Sequence, residues 1–160
     1  MGAKQGREAS AGGVLAPLSA PLVVLDTSVL IAALTTTDAD AESRRVVRAA
    51  GTSAIRLALS DELLREAVEV VRRKDRQGQI VSASLAFEAA MDLWSHGSMY
   101  HPFRLDWPSI PDREDYWVLD LAWAARVDYI VSLDPHLTMA PLPMPIEVLM
   151  PYQLIGRLGL

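Results

Sequence analysis

The amino-acid sequence predicts an α/β protein, a three-layer α/β/α sandwich built around a central, mostly parallel sheet. Short runs rich in leucine and β-branched residues alternate with longer stretches whose apolar residues recur at helical spacing. These short runs show little of the polar and apolar alternation expected of a sheet with one face in water. Strands that are apolar on both faces and separated by helices are typical of parallel sheets covered on both sides.

Composition favours one folded domain. The 160 residues are 51% apolar and 22% charged, which suits one hydrophobic core. We expect a loose, disordered tail over residues 1–20, without the compact apolar run of a secretory signal, and a domain over residues 21–160. The apolar runs are too short or too interrupted to cross a membrane. The absence of cysteine excludes disulfides and thiolate sites and favours the cytoplasm.

The first strand is predicted over residues 22–25, where Leu-Val-Val-Leu forms a continuous apolar run that ends at Asp26. Residues 28–34 are apolar at helical spacing and predict the first helix. A polar stretch separates it from a second helix over residues 41–50, which Gly51 ends.

A second strand over residues 55–59 leads into a helix that begins after the capping hydroxyl of Ser60. Acidic residues in its first turn and the basic residues 72–74 at its end complement the helix dipole, so we predict a helix through Val71. Another helix follows over residues 82–94.

Residues 99–111 are rich in proline and aromatic residues, which predicts an extended segment with a strand around residues 103–105. Asp112 is predicted to cap the next helix. That helix carries Asp115 at its third position and continues through residues 116–126.

The last elements follow the same alternation of strand and helix. Residues 128–131 predict a strand, and Asp134 with Pro135 predicts a turn. Residues 146–150 predict the last strand and residues 152–158 a short closing helix. The alternation therefore extends to the end of the chain.

Acidic residues fall at the ends of these elements. Asp26 and Asp134 each follow a strand, and Asp115 lies in the first turn of a helix. In an open parallel sheet, functional groups gather in the crevice beyond the carboxyl ends of the strands, and helix starts point into the same crevice. We therefore expect these three acids to meet.

Four motifs make the sequence similar to a known family. They are VVLDTSVL (residues 23–30), LSDELLRE (59–66), PDRED (111–115) followed by LDLA (119–122), and VDYIVSLD (127–134). In this order they resemble the PIN-domain family, particularly its bacterial stand-alone and toxin-like members, over about residues 22–154. Ser28 stands where the family often has asparagine, and Ser132 where it often has threonine.

The resemblance implies a metal-dependent endoribonuclease, and it also implies which residues form the site. The catalytic and metal-binding residues are Asp26, Glu66, Asp115 and Asp134. The supporting residues are Thr27, Ser28 and Ser132 as hydrogen-bonding partners and Asp112 as a further ligand or, as we prefer, a helix cap. Hard oxygen donors without cysteine or clustered histidine favour Mg²⁺, with Mn²⁺ as a substitute, over zinc.

Each acid taken alone also has a structural explanation. Asp26 suits the cap of the following helix, and Glu66 suits a solvated position in mid-helix. Asp115 suits a capping box with Asp112, and Asp134 before Pro135 suits a turn.

The net charge of −5 indicates that binding of nucleic acid must rest on local basic groups or on bound cations. Candidate contacts to the RNA backbone are Arg44, Arg45, Arg72 and Arg73, although basic residues at helix ends are more commonly solvated. The four tryptophans, including Trp123, are expected in the core or at an interface rather than as base-stacking platforms.

The resemblance implies RNA as substrate, a homodimer, and an antitoxin partner if the protein is the toxin of a type II toxin-antitoxin pair. The alternative is a catalytically silent PIN-like module that docks protein or nucleic acid. An aspartyl phosphatase is disfavoured because no second acid lies two positions after Asp26.

Overall fold

The computed structural model describes residues 19–79, 83–108, 116–142 and 144–160, so residues 1–18 of the predicted tail lie outside the described residues. The described residues form five strands and seven helices. In chain order they are β1 (Leu22–Leu25), α1 (Thr27–Thr35), α2 (Glu42–Gly51), β2 (Arg56–Leu59), α3 (Asp61–Arg76), α4 (Ala83–Ser95), β3 (Ser98–Met99), α5 (Tyr116–Ala125), β4 (Tyr129–Val131), α6 (Pro135–Thr138), β5 (Glu147–Leu149) and α7 (Pro151–Leu158).

The five strands form one parallel sheet in the order β3-β2-β1-β4-β5. Val23 in the central strand β1 pairs with Leu57 of β2 on one side and with Tyr129 of β4 on the other. The chain extends the sheet from β1 through β2 to β3, and then returns to add β4 and β5 at the opposite side. The connections after β1 and β4 therefore diverge, which makes the end of these two strands the topological switch point of the sheet. The predicted α/β/α sandwich is confirmed.

The core lies along the central strand and the helices that cover it. All four residues of β1 are buried, as a strand with helices over both faces requires. Helix α5 packs on β1 and β2 through a largely buried apolar face, whereas α7 packs on α2 and β5. Each large aliphatic side chain buried in this way contributes about 1.5–3 kcal/mol. Within the described ranges, no helix combines the length and the hydrophobicity needed to cross a bilayer.

The strand predicted around residues 103–105 is wrong, and the edge strand β3 is instead the two-residue segment Ser98–Met99. Farther along the following segment, two donors bond to a side chain rather than to a neighbouring strand. The backbone N–H of Leu105 and the indole Nε1–H of Trp107 both donate to Oδ1 of Asp120, at 3.1 and 2.9 Å. A buried carboxylate on α5 thus replaces sheet pairing as the anchor of this segment.

The turn predicted at Asp134 and Pro135 is the start of the short helix α6. Oδ1 of Asp134 accepts a hydrogen bond from the backbone N–H of His136 at 2.8 Å, and Pro135 occupies the first turn. Asp134 therefore caps a helix as well as lying at the end of β4.

Gly97 lies where α4 turns into β3 and approaches β2 closely. A Cβ at this position would lie 2.3 Å from Cδ1 and 2.7 Å from Cγ of the buried Leu59. Gly97→Ala is therefore expected to lower the free energy of unfolding by about 1–3 kcal/mol. Gly156→Ala in α7 meets no atom within 4 Å and is expected to raise it by about 0.5–1 kcal/mol. Urea denaturation of the two variants checks this, and a stabilising Gly97→Ala would contradict the packing.

Candidate active site

An open cleft of about 510 Å³ lies at the switch point of the sheet. Its walls come from the connection after β1, from α3 and from the connection after β4. The lining residues are Asp26, Thr27, Ser28, Ile31, Ala32 and Thr35 from the first, Glu66, Val70, Arg73 and Lys74 from the second, and Asp134 from the third. Three of the four predicted catalytic acids therefore line one cleft.

The carboxylate of Asp26 is held by two serine hydroxyls. Its Oδ2 accepts hydrogen bonds from Ser28 Oγ at 2.6 Å and from Ser132 Oγ at 2.7 Å. Each hydroxyl also accepts a backbone N–H, Ser28 from Leu133 at 3.1 Å and Ser132 from Asp134 at 2.9 Å. The network ties the end of β1 to the end of β4 and so fixes the orientation of the Asp26 carboxylate. The Asp26 side chain makes no bond that caps α1.

Burial raises the pKa of the Asp26 carboxyl above its ordinary value, because the side chain is only 8% exposed and its charge is poorly solvated. Hydrogen bonds from Ser28, from Ser132 and from the backbone of Thr27 lower this pKa without cancelling the effect of burial. The negative charge of Asp134 raises it further. Burial thus makes the charged form of this carboxylate less favourable than in water, and a bound cation would offset that effect.

Helix α3 contributes basic side chains as well as an acid to the same cleft. Glu66, Val70, Arg73 and Lys74 all line it. Their spacing of four, seven and eight residues from Glu66 places them on one face of a helix. Two cationic side chains therefore follow the half-buried acid along that face.

The third predicted acid, Asp115, and the predicted cap Asp112 lie outside the described residues, so their positions stay predictions. In the part of the chain that the structure describes, no three Asp, Glu, His or Cys side chains are grouped as metal ligands. A complete ligand set at this cleft would need at least one group besides those described.

The donors that are described suit a hard divalent cation. Asp26, Glu66 and Asp134 offer carboxylate oxygens, which Mg²⁺ and Mn²⁺ prefer. The hydroxyl of Thr27, beside Asp26, is buried and has no hydrogen-bond partner among the described residues. An unpaired buried hydroxyl costs about 1–3 kcal/mol, so a ligand or a coordinated water that bonds to it would recover that energy. These residues fit the metal that the resemblance implies.

The predicted RNA-backbone residues have different positions. Arg73 lines the cleft beside Lys74, the next residue of the same basic run. Arg72 faces an apolar groove between α1, α3 and α4. The guanidinium of Arg44 donates to backbone carbonyls at the end of α1 at 3.0 and 2.6 Å, and that of Arg45 donates to the last carbonyl of the chain at 2.7 Å. Arg73 and Lys74 are thus the basic side chains that line the cleft of Asp26.

Asp120 is a buried acid to which the sequence motifs assigned no role. It is 2% exposed, and its Oδ2 has no hydrogen-bond partner among the described residues. A signal was present in the sequence, because Asp120 is the only charged residue in the otherwise uncharged run YWVLDLAWAA. A lone acid in the middle of an apolar helix requires buried partners.

Asp26→Asn tests the electrostatics of the cleft independently of activity. Because folding raises the pKa of Asp26, the folded protein keeps this proton to a higher pH than the unfolded chain. Stability therefore falls as the pH rises from the unfolded pKa through the folded one. In chelator, Asp26→Asn should melt above the wild type near neutral pH, by about 2–4 °C per kcal/mol of relieved penalty, and this difference should disappear in acid. Calorimetry across pH checks this, and a variant that melts lower at neutral pH would contradict the raised pKa.

Comparison with known proteins agrees with the motifs. The sequence model of the PIN domain matches residues 22–136. PAE2754 from Pyrobaculum aerophilum has a similar fold, with a TM-score of 0.56 at 14% identity over 87% of this chain and 96% of that chain. The PIN domain of RRP44 from T. brucei aligns over 86% of this chain and 80% of its own, at 12% identity, but its TM-score of 0.43 is too low to support an argument. A search of curated proteins gave no match.

Proposed function

Since the chain belongs to the PIN-domain family, whose members are generally metal-dependent nucleases, we propose that it is a Mg²⁺- or Mn²⁺-dependent endoribonuclease that hydrolyses RNA phosphodiester bonds. The observation that carries the proposal is the convergence of Asp26, Glu66 and Asp134 on one cleft at the switch point of the sheet. Asp115 is proposed as the fourth acid on the strength of its motif.

The four acids would hold the metal, directly or through water. When bound, the cation supplies Lewis acidity toward the phosphate and offsets the negative charge that develops there. Ser28 and Ser132 orient the Asp26 carboxylate, and Thr27 offers a further hydrogen-bonding group. Glu66 on α3 is proposed to complete the ligand set or to orient the attacking water.

Arg73 and Lys74 are proposed to attract the RNA backbone to this cleft. The chain as a whole carries a net charge of −5, so a phosphodiester approaches the acids only where cations lie beside them. Both side chains line the cleft that holds the carboxylates. They would contact phosphates that flank the scissile one, and binding would weaken as salt concentration rises.

The finer parts of the proposal concern partners. The resemblance of the motifs to toxin-like PIN proteins suggests the toxin of a type II toxin-antitoxin pair, with an antitoxin that covers the cleft. A homodimer is proposed from the same resemblance, and a cytoplasmic location from the absence of cysteine. The toxin, antitoxin and homodimer assignments rest on the motifs alone.

The alternative function is a catalytically silent PIN-like module that docks protein or nucleic acid. It is favoured by one observation, that the described residues contain no three-residue group with the arrangement of metal ligands. The two functions differ in what divalent metal does to RNA that is bound to the protein.

Cleavage of a fluorescently labelled RNA strand in the presence of Mg²⁺ or Mn²⁺ tests the proposal. We expect fragments only when metal is added, and no fragments with a chelator or with Asp134→Asn protein purified in parallel. The parallel variant identifies contaminating ribonucleases, since these would cleave with either preparation. Binding of the strand without metal-dependent cleavage would support the silent module instead.

A further inference from the structure

A second surface cleft, of about 430 Å³, lies between residues 100–108 and α5. We call it the aromatic cleft. Its main lining residues are Tyr100, His101, Phe103, Leu105, Trp123 and Arg126. None of these residues lines the cleft that contains Asp26, so the proposed catalytic chemistry does not account for them.

The aromatic side chains of this cleft are unusually exposed. Phe103 is 87% exposed and Trp123 is 51% exposed. Large aromatic side chains are normally covered, because their exposure to water costs the most hydrophobic free energy. A cluster of exposed aromatic side chains therefore indicates a binding surface.

The cleft is held in shape before any ligand arrives. Asp120 at its floor accepts the hydrogen bonds from Leu105 and Trp107 that anchor the segment to α5. The hydroxyl of Tyr116, also on α5, donates to the carbonyl of Trp107 at 2.9 Å and so holds the end of the same segment. Phe103 is therefore presented on a fixed segment beside Trp123, which lowers the entropic cost of binding.

Positive charge accompanies the exposed rings. Arg104 and Arg126 are both exposed, and neither forms an ion pair within the described part of the chain. His101 approaches Asp61 at 4.0 Å, and Asp106 is the only acid on the segment itself. Cations interleaved with exposed aromatic rings match a strand that carries phosphates and unstacked bases.

The aromatic cleft begins at the same edge of the sheet as the cleft of Asp26. Tyr100 directly follows β3, and its backbone N–H donates to the carbonyl of Leu59 at the end of β2 at 2.8 Å. Ser60, the next residue, caps α3, the helix that carries Glu66. Because all five strands are parallel, the segment after β3 begins at the same edge as the acids after β1 and β4. Arg126 precedes β4, so the cleft extends from that edge toward the opposite one.

We propose that the aromatic cleft is a binding site for single-stranded RNA, in which Phe103 and Trp123 stack on bases while Arg126 in the cleft and Arg104 outside its lining contact phosphates. The inference rests on the proposed nuclease function, since it supplies the part of the substrate-binding surface that lies outside the cleft of Asp26. Single strands are selected because only unpaired bases offer a free face to an aromatic ring.

The test measures binding rather than cleavage. Fluorescence anisotropy of labelled oligoadenylate is recorded in chelator with wild type, Phe103→Ala and Trp123→Ala, and again with the duplex formed with oligouridylate. Each alanine variant is expected to weaken binding of the single strand about fivefold or more, because stacking contributes about 1–3 kcal/mol per base. Trp123→Phe and Phe103→Tyr should bind like the wild type, whereas Phe103→Leu should not.

Tyr152→Ala is the matched control, because Tyr152 on α7 is also 51% exposed but does not line the aromatic cleft. It should leave affinity unchanged. The proposal is overturned if the Phe103 and Trp123 variants bind the single strand like the wild type, or if Phe103→Leu restores full affinity. A change in molecular mass by light scattering without a change in RNA affinity would instead assign the surface to a protein contact. If the wild type cleaves RNA with metal but the Phe103 and Trp123 variants keep full RNA affinity, only this inference fails. If the two alanine variants lose affinity as expected but the wild type never cleaves RNA, only the nuclease proposal fails.

Discussion

Replacement of Asp26 by asparagine is expected to slow metal-dependent RNA cleavage about a thousandfold while the protein stays folded. Asparagine keeps the size of the side chain and can still accept a hydrogen bond from a serine hydroxyl, but it loses the negative charge that holds a dication. Metal ions contribute several kcal/mol to the stabilisation of such transition states, and about 4 kcal/mol corresponds to a thousandfold change in rate. The measurement is kcat/KM on labelled RNA, with far-ultraviolet circular dichroism to verify folding.

Two variants bracket this result. Ser132→Ala removes one of the hydroxyls that bond to Asp26 and keeps the carboxylate, so a smaller loss of about 10- to 100-fold is expected. Asp40→Asn changes an exposed acid that does not line the cleft, and it should cleave like the wild type. A folded Asp26→Asn protein with full activity would exclude Asp26 from the site.

Asp120→Ala is expected to destabilise the fold more than Gly97→Ala does. It removes the acceptor of the Leu105 N–H and of the buried Trp107 indole N–H. Each of the two donors left without a partner costs about 1–3 kcal/mol, so the free energy of unfolding should fall by about 2–6 kcal/mol. Urea denaturation gives the value directly, and the quantum yield of Trp107 fluorescence should change with it.

Asp120→Asn is the control for this prediction. Its side-chain oxygen can accept the same two hydrogen bonds, so the loss is expected to stay within about 1 kcal/mol. Asp120→Ala should also weaken binding of single-stranded RNA, because the segment that carries Phe103 would lose its anchor. Equal stabilities of the alanine variant and the wild type would show that the segment is held by other contacts.

The sequence predicted best the strands whose two faces are both buried. The runs of apolar residues at β1 and β4 have no stable place except inside a covered parallel sheet, and the cap at Ser60 follows from local hydrogen bonding. The end of α3 was predicted five residues too early, at Val71 rather than Arg76. Arginine and lysine interact favourably with the dipole at a helix end, but they are also good helix formers, so the helix continues through them.

The convergence of Asp26 with Asp134 was predictable because both acids follow strands of a parallel sheet. Ser132 could be predicted as a partner of Asp26 only from the family motif, because 106 positions separate the two residues and no local pattern connects them. The anchor at Asp120 was not foreseen, and the sequence left open whether Trp123 lies in the core or at an interface. Both depend on where residues 100–108 lie against α5, which is set by tertiary contacts that local sequence patterns do not encode.

The central claim is that acids from distant parts of the chain gather around one divalent cation. Anomalous diffraction from crystals soaked in Mn²⁺ tests it most directly. We expect a single dominant anomalous peak within bonding distance of Asp26 and Asp134 and close to Glu66, and no peak in crystals of Asp26→Asn. Occupied manganese sites only at other places on the surface, with the cleft of Asp26 free of anomalous signal, would contradict the account.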